Sequence, residues 1–116
     1  VSAVWLATRL ATLAIFLVAA SLQGDNYWTK AQPSYFDFLN IWDVEWYERI
    51  FDHGYPPTLP LTTGGAVAQN EWAFMPLFPM LVRGLAAITG LEWRFAAPIL
   101  ATLLSFVAAA LIFKLF

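Results

Sequence analysis

The sequence predicts an α-helical membrane protein in which two transmembrane helices flank a loop carrying short amphipathic or interfacial helices. Three observations predict this class. Hydrophobic residues make up 60% of the chain and charged residues only 12%, about half the roughly 25% charged expected of soluble domains. Mean hydropathy is +0.64. The apolar residues gather at the two ends, 1–22 and 95–116, while residues 23–94 hold nearly all the charges.

The C-terminal segment is the clearer span. No charged residue interrupts it from Phe95 to Phe113, and about 19 residues at ~1.5 Å each give about 28 Å, close to a hydrocarbon core. Lys114 closes it. The first segment, Val1 to Leu22, carries one charge, Arg9, which can snorkel if the helix starts on that side of the bilayer. A cleaved signal peptide is the rival reading, with Leu10 to Leu22 as its apolar region and Val18-Ala19-Ala20-Ser21 as small residues for cleavage. No basic, Met-initiated region precedes these residues, which favours a span. The chain also reads as part of a longer polypeptide, because its last apolar segment runs to the end without a tail.

Between the spans, Gln23-Gly24-Asp25-Asn26 is a polar exit, and Tyr27 and Trp28 stand where interfacial aromatics sit. Phe36 to Phe51 suits one short amphipathic helix along the interface. Ile41, Glu45 and Glu48 would lie on one part of its circumference and Trp42, Trp46 and Arg49 on another. Gly54-Tyr55-Pro56-Pro57 should stop it, since Pro56 restricts Tyr55 to extended geometry and two prolines remove consecutive donors. Thr62-Thr63-Gly64-Gly65 reads as a flexible loop. A second short helix is expected from Pro79 to about Thr89, capped by Gly90. Arg83 and the prolines make it a poor third span, so a half-buried or re-entrant element is expected.

Charge excludes some functions. The net charge is −2, and no cluster of Lys or Arg is available to hold nucleic acid. Residues 23–94 contain all eight carboxylates and four of the six cations, a local balance of −4. If both segments span, Arg9 and Lys114 share one side, which the positive-inside rule makes cytoplasmic, with the acidic loop extracytoplasmic. There is no cysteine, which excludes disulfides and Cys-based metal sites.

Asn40-Ile41-Trp42-Asp43-Val44-Glu45-Trp46-Tyr47-Glu48-Arg49 interleaves carboxylates with aromatics beside a membrane segment. Two readings of Asp43 stand side by side. Its aromatic neighbours Trp42, Trp46 and Tyr47 would desolvate it and stack on a sugar face, as around a general base. Alternatively Asn40 is an N-cap with Asp43 at the third helical position, where an acid serves the helix dipole. Asp43-Val44-Glu45 also passes for a modified D-x-D metal motif. On a continuous helix positions i and i+2 point to nearly opposite sides, so joint coordination of Mg²⁺ or Mn²⁺ requires extended backbone there. Glu45 therefore reads first as an i,i+4 partner of Arg49 and second as a ligand. His53, the only histidine, reads as a turn residue. Glu71 would hold acceptor hydroxyls or pair with Arg83. Arg83 would contact a carrier phosphate or simply snorkel. Phe74, Leu77 and Phe78 read as packing.

Three blocks in succession carry a resemblance: Trp42-Asp43-x-x-Trp46-Tyr47-x-x-Ile50, then His53-Gly54-Tyr55-Pro56, then Ala73-Phe74-Met75-Pro76-Leu77-Phe78-Pro79-Met80-Leu81-Val82-Arg83. In order and spacing they resemble the N-terminal part of PIG-V-type (GPI mannosyltransferase-like) glycosyltransferases and their bacterial relatives. The resemblance implies the N-terminal part of a multi-spanning GT-C fold and an inverting transfer of a sugar, most simply mannose, from a polyprenyl- or dolichyl-phosphate carrier. It implies an essential acidic residue in the first extracytoplasmic loop, and Asp43 is the residue that matches. Implied partners are the lipid-linked donor, a glycan or glycolipid acceptor, membrane lipid and the remaining transmembrane helices of a full-length chain. The implied location is the plasma membrane in a bacterium or the endoplasmic reticulum in a eukaryote.

The chemistry suits one carboxylate. A lipid-phosphate sugar already carries a good leaving group, so catalysis has to deprotonate an acceptor hydroxyl, align it, and accommodate charge on the departing phosphate. The contrasting function class is a non-catalytic membrane module, either an assembly subunit or a lipid-binding scaffold that uses the same aromatic surface.

Overall fold

The computed structural model describes residues 1–115, all-helical apart from turns and one isolated bridge. The helices are α1 (Ser2–Leu22), α2 (Tyr35–Leu39), α3 (Val44–His53), α4 (Leu77–Thr89) and α5 (Trp93–Leu115). Both α1 and α5 are long and apolar enough to cross a bilayer. Most of their length lies outside the core, since only 6% of the most apolar stretch of α1 and 11% of that of α5 is buried. Val4, Ile15, Leu104 and Ile112 stand exposed along them, an apolar surface that water would penalise and acyl chains would not.

The two long helices run antiparallel. The Trp5 indole Nε1 donates to Ser105 Oγ at 3.1 Å, and the Trp5 ring meets Phe106 edge-on at 5.1 Å. Inside an apolar layer such a polar pair satisfies both groups and sets the register between helices. At the other end, Ala20 is buried and Phe16 packs edge-on against Phe38 of α2 at 5.9 Å.

α5 begins at Trp93, two residues before the charge-free segment read from sequence, because the Glu92 carbonyl already accepts from the Phe95 and Ala96 amides. Its first turns form the core. Trp93, Ala96 and Ala97 join Val82 of α4 in the buried cluster, with Val44, Tyr47, Phe51 and Phe78 packed around it. Two alanines on one face let α4 approach closely, and the Trp93 ring fills the space above them, 5.4 Å from Phe51 and 6.1 Å from Phe78. Pro98 lies inside α5 and cannot donate to the Arg94 carbonyl.

α4 starts at Leu77, one half-turn before the expected Pro79. Pro76 takes the cap position, and Pro79 falls in the first turn, where no amide partner is needed. Gly90 ends α4 in the left-handed region at φ 73°, its amide bonded to the Ala86 carbonyl, as its position in the sequence predicts. The 62–65 segment forms a bridged turn. Leu61 and Val67 form an antiparallel bridge, and the Thr62 amide bonds to Ala66 at 2.7 Å.

The single helix expected from Phe36 to Phe51 is instead two. α2 ends at Asn40, α3 begins after Asp43, and Trp42 between them has φ 62°. Asn40 therefore closes α2 as its C-cap; it is not the N-cap of a helix carrying Asp43 at its third position. Ile41 and Trp42 leave the helical circumference altogether. The break has a tertiary cause: Asn40 Nδ2 donates to the Phe36 carbonyl at 2.7 Å while Asn40 Oδ1 accepts from Trp93 Nε1. Both ends of the amide are thus committed outside a continuing helix.

Candidate functional site

The elbow between α2 and α3 presents the candidate residues. Asp43 is the residue before α3, exposed, and its backbone carbonyl accepts from the Trp46 amide at 3.1 Å. Its carboxylate makes no capping bond. Among the described residues the ion pairs are Arg49–Glu45 and Arg94–Asp37, so Asp43 is left without a cation as well. An acid at the start of a helix that does not cap it remains available for other chemistry.

Trp46 and Tyr47 in the first turn of α3 face the Phe74 ring. Trp46 stacks on it at 5.8 Å and 12°, and Tyr47 meets it edge-on at 5.3 Å. Tyr55 Oη donates to the Phe74 carbonyl at 2.7 Å, and the Tyr55 ring lies 4.5 Å from Trp72, whose Nε1 bonds to the Pro56 carbonyl. The fold therefore brings all three sequence blocks into one aromatic patch beside the elbow. Gly54 makes the turn between them at φ 77°, a conformation that resists a side chain. Phe74 and Phe78 pack as expected, whereas Leu77 is exposed.

Trp42 does not join this patch. Its side chain is 66% exposed and packs against Trp28 with ring centres 4.7 Å apart. Left-handed backbone at a bulky residue is strained, and such strain collects where function requires a particular presentation.

Glu45 bonds to Arg49, as their spacing predicts, and the Arg49 guanidinium lies 4.6 Å from the Trp46 ring centre. Glu45 is thus engaged by Arg49, while Asp43 lies ahead of the helix. The described residues contain no group of three or more His, Asp or Glu placed to hold a metal ion. Glu71 opens a 3₁₀ turn, Glu71–Ala73, capped by Asn70, whose Oδ1 accepts from the Trp72 amide. Glu71 does not pair with Arg83. The Arg83 guanidinium reaches α3 instead and donates to the Asp52 carbonyl at 3.2 Å. His53 is the last residue of α3 and exposed.

The structure adds Glu48, which sequence reasoning treated only as part of a helix face. Partial burial, then the nearby Asp52 and Glu45 carboxylates, hold its pKa above the usual carboxylate range. The signal was legible: Glu45, Glu48 and Asp52 follow i, i+3, i+7 spacing and so share one side of α3.

No protein-family model matches the chain, and neither a curated protein nor a solved structure is significantly similar to it.

Proposed function

We propose that the chain contributes the first catalytic loop of a polyprenyl- or dolichyl-phosphate-sugar-dependent glycosyltransferase of GT-C type, with Asp43 as general base. The observation that carries this reading is Asp43 itself: an exposed carboxylate without capping bond or ion pair, on a strained elbow between two aromatic surfaces. In the proposed reaction Asp43 takes the proton of an acceptor hydroxyl as its oxygen bonds to the anomeric carbon. The bond from that carbon to the carrier phosphate breaks, the phosphate leaves with the electron pair, and configuration inverts.

The surrounding residues have supporting roles. Trp46 and Tyr47, packed on Phe74 one turn along α3 from the exposed Asp43, offer flat faces to sugar C–H groups. Arg83 keeps guanidinium donors beyond the one used on Asp52 and supplies a cation for the departing phosphate. Glu71 offers an acceptor for substrate hydroxyls. On this reading α1 and α5 are two spans of a multi-pass protein, residues 23–94 face away from the cytoplasm, and mannose is the first sugar to try. Further helices of the full-length chain complete the donor and acceptor pockets.

The test is transfer of radiolabelled mannose from polyprenyl-phosphate-mannose by membranes carrying the full-length protein, wild type against Asp43→Asn at matched expression. Loss of transfer at unchanged protein level is the expected result. Undiminished transfer would remove Asp43 from the mechanism and move the search to Glu71 and Glu48. Absence of transfer by the wild type would favour the non-catalytic module.

A further inference from the structure

The second aromatic surface at the elbow lies away from the Trp46–Phe74 patch. The loop after α1 is held by backbone bonds from the Asn26 amide to the Thr29 carbonyl and from the Gln32 amide to the Gln23 carbonyl, and by two side chains. Asn26 Oδ1 accepts from the Trp28 and Thr29 amides at 2.8 and 3.1 Å, Asn26 Nδ2 donates to Thr29 Oγ1 at 3.0 Å, and Asp25 Oδ1 accepts from the Ala31 amide at 2.8 Å. What this bonding presents is the Trp28 ring, 39% exposed and packed on one side by Trp42. Two independent segments, one pinned by side-chain bonds and one in left-handed backbone, thus converge to hold an indole pair at the surface.

Beside Trp28 opens a cleft of about 280 Å³ lined by Trp28, Thr29, Lys30, Pro33, Asp37 and Asn40. That volume lies near the lower end for small-molecule sites, the scale of one ring. Its lining combines a flat apolar face and a proline with a hydroxyl, an ammonium, a carboxylate and an amide. A pyranose needs this mixture: its C–H face packs on an aromatic plane, and its hydroxyls each require both donors and acceptors. Lys30 forms no ion pair among the described residues, while Asp37 is already paired with Arg94 at 3.6 Å and bonded to Ser34 Oγ. The charge in the cleft therefore leans positive, which suits a sugar that carries or adjoins a phosphate.

We infer that this cleft is a pyranose subsite, with Trp28 as its stacking platform and Lys30 as the cation at its edge. The inference rests on the glycosyltransferase reading, whose site it extends. The ring is that of the lipid-linked donor or that of the acceptor glycan, and the chemistry of recognition is the same for both.

The experiment uses the purified full-length protein in detergent, with methyl α-mannopyranoside and mannose 1-phosphate as probes. Saturation-transfer NMR reads binding by the wild type, Trp28→Phe, Trp28→Ala and Lys30→Met. The expected result is binding retained in Trp28→Phe and weakened at least tenfold in Trp28→Ala. Lys30→Met should weaken mannose 1-phosphate selectively if the donor occupies the cleft, and should affect both probes alike if the acceptor does. Equal binding by wild type and Trp28→Ala, or no binding of either probe by the wild type, would overturn the subsite. Should Trp28→Ala not fold, Lys30→Met decides: unchanged binding of both probes counts against the cleft. Mannosyl transfer measured on the same preparations separates the two failures, since transfer without Trp28- or Lys30-dependent binding sinks the subsite alone. Loss of transfer throughout would sink the enzyme reading.

Discussion

The Trp93 indole nitrogen donates to Asn40 Oδ1 at 3.1 Å across 53 residues of sequence, joining the start of the second long helix to the elbow that carries Asp43. Trp93 is 3% exposed, so its N–H has little access to water while the fold is intact. A buried donor without an acceptor costs about 1–3 kcal/mol. Asn40→Ala should therefore lower stability by about that amount, measured by thermal unfolding in detergent. A midpoint equal to the wild type would show that the bond does not hold the elbow.

The backbone of Trp42 gives a second prediction. Left-handed geometry costs a residue with a side chain roughly 1–2 kcal/mol relative to glycine. Trp42→Gly and Trp42→Ala both lose the Trp28 contact, so their difference isolates the strain. Trp42→Gly should be the more stable by about 1 kcal/mol. If alanine matches glycine, the elbow does not adopt this conformation in solution.

Glu48 predicts a pH dependence. Its pKa is raised in the folded state by burial and by Asp52 and Glu45, so ionising it opposes folding. The folded state is favoured while Glu48 is protonated, below the ordinary carboxylate range, and loses that advantage as pH rises through the raised pKa. Glu48→Gln should melt higher than the wild type near neutral pH, and the difference should vanish toward about pH 4. A constant difference at all pH values would mean that the substitution acts through packing.

Asp43→Asn should separate catalysis from stability. The side chain is exposed and makes no capping bond, so its replacement should change stability by less than about 0.5 kcal/mol. A large fall in stability accompanying any loss of transfer would assign the residue a structural role.

These 116 residues contain no cysteine, so a single cysteine introduced among them reports their topology when its labelling is compared with that of the same protein lacking it. Thr63→Cys in intact cells, or in sealed right-side-out vesicles, should react with a membrane-impermeant maleimide, while Lys114→Cys should react only after permeabilisation. The reverse pattern would invert the orientation, and labelling of both would argue against two spans.

Some features were legible because they depend on local chemistry. The two long apolar helices follow from hydrophobic runs, one of them broken only by Arg9. The Gly90 cap follows from the freedom of glycine at positive φ, and the Glu45–Arg49 pair follows from helical spacing. None of these needs a distant partner. Asn40, in contrast, is an equally good N-cap and C-cap by composition; only the Trp93 indole, far along the chain, commits its amide to ending α2.

Composition and short-range period were enough to specify the apolar helices, the acidic connection between them and the inventory of carboxylates and aromatics. The tertiary structure decided where the connection breaks, which face Trp42 presents, that Arg83 reaches Asp52 in place of Glu71, and that Asp43 stands free in front of α3. The physical reason is that one hydrogen-bond partner, or one aromatic contact, shifts such choices by about as much as local propensity does. That partner is supplied only when distant segments pack.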